Sequence, residues 1–396
     1  MSSKHWNIIS SWSKAGIATS IILELNKIRP SNSDQPTSTK NHRIVFDIGA
    51  TPSFEEAIPA KHVFVSHGHL DHVGALFSHA RAHAVAYGGE SVTYFVPAQL
   101  LSKIEQCREA MSNLDASNLN QGSVGGDNEG RKTSLLSMNL VPVHDGDEIS
   151  LKGINYDSKT SFFMRAFAVD HAGHPALAYV IGSRTTSGLK EEYQHLDRDE
   201  IRQLVKSGVS IKSDPIENIE VAYTGDTCVN GLIKHDESTS CYKIGQLFQA
   251  ELLLCELTFL DSSDDEEQRS KAIERGHIHI NDIERIFSSH ISSWCDKEVV
   301  ESDDRQKKKL VFYHLSAKYQ PGMRALDLII EGLPNQLMRY YDCYVAIFSI
   351  LGDSLKIPDP EQIHGPDDEM RKLFLPRSGC ISMERYQRWK KDNVVA

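Results

Sequence analysis

Ser66-His67-Gly68-His69-Leu70-Asp71-His72 places three imidazoles and one carboxylate within six residues. The run follows a short stretch, 63–65, that reads as a strand, and it opens onto a helical pattern at 72–83. The backbone therefore turns where these side chains stand. Neutral imidazole and carboxylate suit zinc and similar divalent ions. Alternate residues of a short loop project the same way, so His67 and His69 are able to grip one ion. Asp71 and His72, one step further round, then face a second. Gly68 and Gly74 allow tight backbone and close helix packing.

Further candidates stand at other strand ends. Strand-like runs are expected at 6–10, 17–25, 43–46, 92–96, 162–169, 177–181, 219–223, 252–255 and 310–313. Helices are expected at 98–111, 199–206, 264–273, 281–289 and 321–331. This alternation argues for α/β layers. His171 follows the run at 162–169, in Val-Asp-His-Ala-Gly-His. Asp226 follows 219–223, in Tyr-Thr-Gly-Asp-Thr, and His314 follows 310–313. A carboxylate has two oxygens to share between two cations, so Asp226 is the natural bridge.

The whole chain has 396 residues, 40% of them hydrophobic and 24% charged, which is the range of an ordinary soluble globular protein. That length accommodates one large domain or two modest ones. With 25 Gly and 14 Pro, a fibrous or wholly disordered chain is excluded. No apolar run approaches the roughly 20 residues of a membrane helix. The seven cysteines are scattered and never spaced C-x-x-C, which argues for a reducing compartment and against a Cys-ligated zinc site. The amino-terminal stretch lacks the apolar segment of a secretory signal, so cytoplasm or nucleus is the expected location. A net charge of −11 runs against the basic footprint of most nucleic-acid binders. A catalytic domain is expected over 1–351, with surface loops at 113–135 and 296–309. A carboxy-terminal extension, 352–396, contains a candidate surface helix at 383–393.

The 67–72 run resembles the signature of the metallo-β-lactamase superfamily, whose fold is an αββα sandwich with a binuclear metal site at one edge of the sheets. Asp47, in Val-Phe-Asp-Ile-Gly-Ala, resembles that superfamily's first motif, an aspartate closing an early strand. More specifically, the chain is similar to the tRNase Z family of tRNA 3′-processing endonucleases, in its short, ElaC-type and plant-like form. The matching stretches are 45–49, 62–76, 165–179, 189–209, 221–227, 255–261, 276–280 and 312–319. Glu256, in Cys-Glu-Leu-Thr-Phe, resembles the family's Glu-Ala/Ser-Thr-Phe motif. His277, in Gly-His-Ile-His, matches its essential non-ligand histidine, with His279 as the alternative. Lys318 stands where the family's Ser-Ala-Arg-Tyr has arginine; it keeps the charge for substrate binding but loses the planar fork. One extra residue separates His171 from Tyr179 compared with the family spacing, so His174 rivals His171 as the third ligand. The segment 183–220 takes the place of the family's tRNA-clamping arm, without a Gly-Pro tip.

The resemblance implies two divalent ions, zinc by preference. One is held by His67, His69 and His171, the other by Asp71, His72 and His314, with Asp226 bridging. It further implies hydrolysis of precursor tRNA after the discriminator nucleotide, leaving a 3′-hydroxyl. In that chemistry Asp71 handles the attacking water, and His277, backed by Glu256, protonates the departing ribose 3′ oxygen. A homodimer is the expected assembly, with no membrane partner. The acidic charge and the atypical arm favour an alternative: a binuclear hydrolase of the same fold acting on a small phosphodiester, thioester or lactone.

Overall fold

Val-, Ile-, Phe- and Tyr-rich stretches of the chain pair into two sheets. The computed structural model describes residues 2–26, 42–116, 136–154, 156–186, 188–233, 244–261, 266–291, 307–319, 324–346 and 379–393. The first sheet takes the strands in chain order: β1 (Trp6–Lys14), β2 (Ala18–Leu25), β3 (Arg43–Phe46), β4 (His62–Phe64), β5 (Val92–Pro97) and β6 (Met138–Val143). The second contains β7 (Glu148–Ser150), β8 (Thr160–His171), β9 (His174–Thr185), β10 (Ile216–Tyr223), β11 (Leu252–Glu256), β12 (Lys308–Tyr313), β13 (Tyr341–Ala346) and β14 (Cys380–Ser382), again side by side in chain order.

Strands β3 to β6 are parallel, as are β10 to β13. Strand β8 points the same way as β10, because both are antiparallel to β9. Their residues alternate between two buried environments, as a period of two requires. Ile44, Phe46, Leu252, Leu254, Val311 and Tyr313 fill one core between the sheets. Val45 and Val63 face a second core with Leu76 and Ala80 from a helix on the outer side of the first sheet. Leu253, Leu310 and Phe312 face a third, with Ile283, Ile286 and Ile329 from helices outside the second sheet. Three cores separate four layers, and the architecture is the expected αββα sandwich. Parallel strands buried on both faces read as continuous apolar runs, which is why they stood out in the sequence.

Several elements differ from expectation. The helix expected at 72–83 is two helices, Leu70–Val73 and Leu76–Ala86. Gly74 caps the first, and a Cβ there would lie 2.6 Å from the Leu70 carbonyl oxygen, so only glycine fits. Strands β8 and β9 run longer than 162–169 and 177–181, meeting in a two-residue turn. Strands β6, β7 and β14 come from stretches that carry no clear strand signal. The helix Leu101–Ala116 takes up the start of the loop expected at 113–135, and 117–135 lies outside the described residues. So do 296–306 and 352–378. The expected carboxy-terminal helix is present as Met383–Asn393. It buries Met383 and Tyr386, and Lys390 Nζ donates to Asp327 at 2.8 Å. Between β9 and β10, the helix Arg198–Lys206 is closed by an Asp197–Glu200 capping box and buries none of its residues. No described helix is long and apolar enough to cross a membrane.

Candidate metal centre

The aligned strands finish at one edge of the sandwich, where open α/β sheets carry their sites. Asp47 follows β3, and the run from Ser66 to His72 follows β4. His171 ends β8, Asp226 follows β10, Glu256 ends β11 and His314 follows β12.

Asp47 organises the first of these loops. It is fully buried and holds a left-handed φ of 55°, rare outside glycine. Its Oδ1 accepts from the Ser66 backbone N–H at 2.7 Å. Its Oδ2 accepts from Ser66 Oγ (2.7 Å), His72 Nδ1 (2.7 Å) and Tyr223 OH (2.5 Å). Ser66 Oγ has thereby given up its proton, so it accepts from His67 Nδ1 at 3.0 Å. The same reasoning applies on the second sheet. His171 Nδ1 donates to the Gly276 carbonyl at 2.8 Å. His314 Nδ1 donates to Thr258 Oγ1 at 3.1 Å, and that hydroxyl donates to Glu256 Oε2 at 2.8 Å. With these Nδ1 protons directed outward, four imidazoles turn Nε2 to the centre, where each offers a lone pair when the ring is neutral.

These nitrogens converge. His67 Nε2 and His171 Nε2 lie 3.1 and 3.3 Å from His69 Nδ1. His72 Nε2 and His314 Nε2 are 3.3 Å apart, each 3.2 Å from Asp226 Oδ2. Asp71 Oδ2 is 3.6 and 3.5 Å from the same two nitrogens, and it accepts from the Gly16 backbone N–H at 2.8 Å. Ligand atoms of His67, His69 and His171 lie within 4.8 Å of one another, as do those of Asp71, His72 and His314 and those of His67, His72 and Asp226. Asp226 Oδ1 is buried with no hydrogen-bond partner among the described residues. Facing lone pairs and an orphaned carboxylate oxygen fit divalent cations and little else.

Charge points the same way. Burial pushes His67 well below the usual histidine range, and His72 beside it adds to the effect. Burial also pushes His72 down, but Asp226 and Asp47 outweigh it and hold His72 well above that range. Burial raises the Asp226 carboxyl, and the opposing pull of His314 and His72 leaves it well below the carboxylate range. Asp71 is brought down to about 2: burial pushes it up, and the contact with His314 and the charge of His72 outweigh that push. A surplus of buried negative charge among imidazoles is what a cation neutralises.

The remaining sequence candidates are distributed as follows. His277 adjoins the cluster: its ligand atom lies within 4.8 Å of those of Asp226 and His314, and its ring centroid 5.2 Å from those of both His171 and His314. Its Nδ1 donates to Glu256 Oε1 at 3.1 Å, and that oxygen also accepts from the Ile278 backbone N–H at 3.1 Å. Burial lowers His277, but Glu256 raises it further, for a net upward shift. His279 is buried instead in a cap, its Nδ1 accepting from the Asn281 N–H at 3.2 Å. His174 is exposed and belongs to none of the close ligand groups. Lys318 Nζ pairs with Asp261 Oδ2 and lies over the Phe259 ring, 5.3 Å from its centroid. Five contributors escaped sequence reading: Ser66, Tyr223, Thr258, the Gly16 N–H and the Gly276 carbonyl. For Thr258 the signal was its place two residues after Glu256, on the same side of an extended chain.

No protein-family profile matches the chain. It is 30% identical over 295 residues to tRNase Z TRZ1 of Arabidopsis thaliana, covering 74% of this chain and 85% of that one. It is 30% identical over 241 residues to the chloroplastic tRNase Z TRZ2 of the same plant, covering 61% of this chain and 57% of the relative. The solved structure of the short form of human tRNase Z overlaps with a TM-score of 0.39 at 14% identity, over 80% of this chain and 93% of that one.

Proposed function

The chain belongs to the tRNase Z family, and from that membership together with the metal centre we propose that it cuts the 3′ trailer from precursor tRNA just after the discriminator nucleotide. It is a metal-dependent endoribonuclease of tRNA 3′-end processing, with the αββα fold of the metallo-β-lactamase type. The observation that carries the reading is the Glu256–His277 pair beside a donor set built for two cations. A bare metal-binding cleft does not need a buried carboxylate aimed at an adjacent non-ligand imidazole.

His67, His69 and His171 would hold one ion, Asp71, His72 and His314 the other, and Asp226 would be shared between them. The imidazole-rich set favours zinc. When bound, the ions supply Lewis acidity, which makes water more acidic and neutralises charge on the phosphoryl oxygens. Asp71, steadied by the Gly16 N–H, orients the attacking water or takes its proton. Glu256 holds the His277 Nδ1 proton and favours the charged ring, which leaves Nε2–H to protonate the departing ribose 3′ oxygen. The P–O3′ bond breaks, leaving a 3′-hydroxyl on the tRNA and a 5′-phosphate on the trailer. Lys318, on its aromatic base, is the cation offered to a neighbouring phosphate. The assembly we propose is a homodimer. The free cysteines among the described residues, four of five buried, favour a reducing compartment, cytoplasm or nucleus.

The net charge of −11 keeps a second reading open, a hydrolase of small phosphodiesters, thioesters or lactones. One experiment separates them. Purified protein and its Asp226→Ala variant are given a precursor tRNA bearing a 3′ trailer, and the cut is mapped to the nucleotide. A metal-dependent cut after the discriminator, lost in the variant, is the expected result. Intact RNA alongside hydrolysis of a small ester overturns the tRNA reading and leaves the metal site standing.

A further inference from the structure

We propose that His174 is a further substrate-contacting residue, donating a hydrogen bond to a phosphate oxygen of the RNA strand beside the scissile bond; this rests on the endoribonuclease reading above. Strands β8 and β9 are joined by Ala172 and Gly173 alone, at φ values of 48° and 79°. Two successive left-handed residues make the tight turn whose twist matches paired strands. His171 and His174 are therefore direct cross-strand partners, and such partners present their side chains on the same face.

The two imidazoles differ in depth. His171 is buried, its Nδ1 committed to Gly276 and its Nε2 facing His69. His174 is exposed, edge-on to His69 with ring centroids 4.6 Å apart and 5.7 Å from His171. It stands immediately outside the His67–His69–His171 trio, on the solvent side of the face the trio occupies. Among the described residues, no protein group takes up either of its ring nitrogens. The neighbouring carboxylate, Asp170, is engaged by Cys228 Sγ at 3.3 Å. An N–H donor is thus left free at the mouth of the centre, which is lined mostly by acceptors and ligands. RNA brings a phosphate with every nucleotide, and contacts to flanking phosphates hold a strand in register. A small diester has no flanking phosphate to offer.

The test compares wild type, His174→Ala and His174→Gln as full chains on two substrates: trailer-bearing precursor tRNA and bis(p-nitrophenyl) phosphate. Bound metal per chain is measured in parallel. In His174→Ala the ratio of kcat/KM on RNA to that on the diester falls about tenfold, the scale of one hydrogen bond to a charged group. His174→Gln, whose amide still donates, recovers part of the ratio, and the metal content of both variants equals that of wild type. An unchanged ratio in His174→Ala overturns the proposal. So does an equal loss on both substrates, or a loss of metal, since each assigns His174 to holding His69 or an ion. Wild type that hydrolyses the diester but leaves RNA whole overturns the endoribonuclease reading as well, and does so before any substitution is made.

Discussion

At Thr258 a single hydroxyl, with one proton and two lone pairs to share, couples the proposed metal ligand His314 to the proposed acid–base pair. It donates to Glu256 Oε2 at 2.8 Å and accepts from His314 Nδ1 at 3.1 Å. Thr258→Val keeps the shape and deletes both bonds. His314 then loses what fixes its ring, and Glu256 loses a donor in a fully buried place. Groups that orient metal-binding imidazoles contribute about 10–100-fold to affinity or activity when removed, and that loss is expected for Val. Thr258→Ser keeps the hydroxyl and stays close to wild type. Zinc affinity by competition with a chromophoric chelator, together with the cleavage rate, checks this; a Val variant matching wild type on both rules out the coupling. The role of Asp47 is of the same kind but was only half legible. Its place after a strand was visible in Val-Phe-Asp-Ile-Gly, whereas the convergence of Ser66, His72 and Tyr223 on one carboxylate depends on pairings between distant strands.

Pairing between β8 and β9 carries two predictions at the scale of the element. Phe163 lies directly opposite Gly182, and a Cβ on Gly182 would fall 2.2 Å from the Phe163 ring. That ring is also covered by the guanidinium carbons of Arg165 and Arg184, 4.6 and 4.3 Å from its centroid, so shifting it disturbs both. Gly182→Ala is expected to destabilise the fold by about 1–3 kcal/mol, the usual cost of overpacking. Denaturant unfolding measures it, and a shift below a few tenths of a kcal/mol refutes it. The same two arginines clamp Glu148 and Glu217. Arg184 brings Glu148 down from 4.5 to about 2, and Arg165 lowers Glu217. A carboxyl depressed by folding adds stability above its unfolded pKa, and that stability fades as pH falls from about 4.5 towards 2. Wild type is thus expected to lose more stability between pH 6 and pH 3 than a Glu148→Gln/Glu217→Gln variant; equal losses defeat the idea. These elements also show what the sequence conceals. The apolar runs of β10 to β12 declared themselves because both faces are buried. Strand β6 did not, with an internal Pro142 that only an edge position tolerates, and three-residue β14 is too short for any period. The β8–β9 turn hid behind an alanine at positive φ, where turn chemistry favours Asn or Gly.

Across the whole molecule, the side chains of the candidate metal centre come from both halves of the sandwich. His67, His69, Asp71 and His72 follow β4 of the first sheet, while His171, Asp226 and His314 follow β8, β10 and β12 of the second. Apolar packing of Phe46, Phe64, Tyr223 and Tyr313 joins the sheets just behind them. Ions held as proposed would therefore cross-link the halves only in the folded chain, since unfolding keeps no more than the 67–72 cluster together. A ligand that binds only the native state stabilises it by mass action, about 4 kcal/mol per ion at a free concentration a thousandfold above its dissociation constant. Stripping metal with a chelator should lower the melting temperature, and zinc should restore it. In Asp226→Ala the chelator's effect should shrink, because the carboxylate proposed to serve both ions is gone. The imidazoles must be unprotonated to bind, so the stabilisation should also fade as pH drops below the usual histidine range. Superimposable melting curves with and without chelator, for protein shown by elemental analysis to have carried metal beforehand, would mean that the ions do not tie the two sheets together.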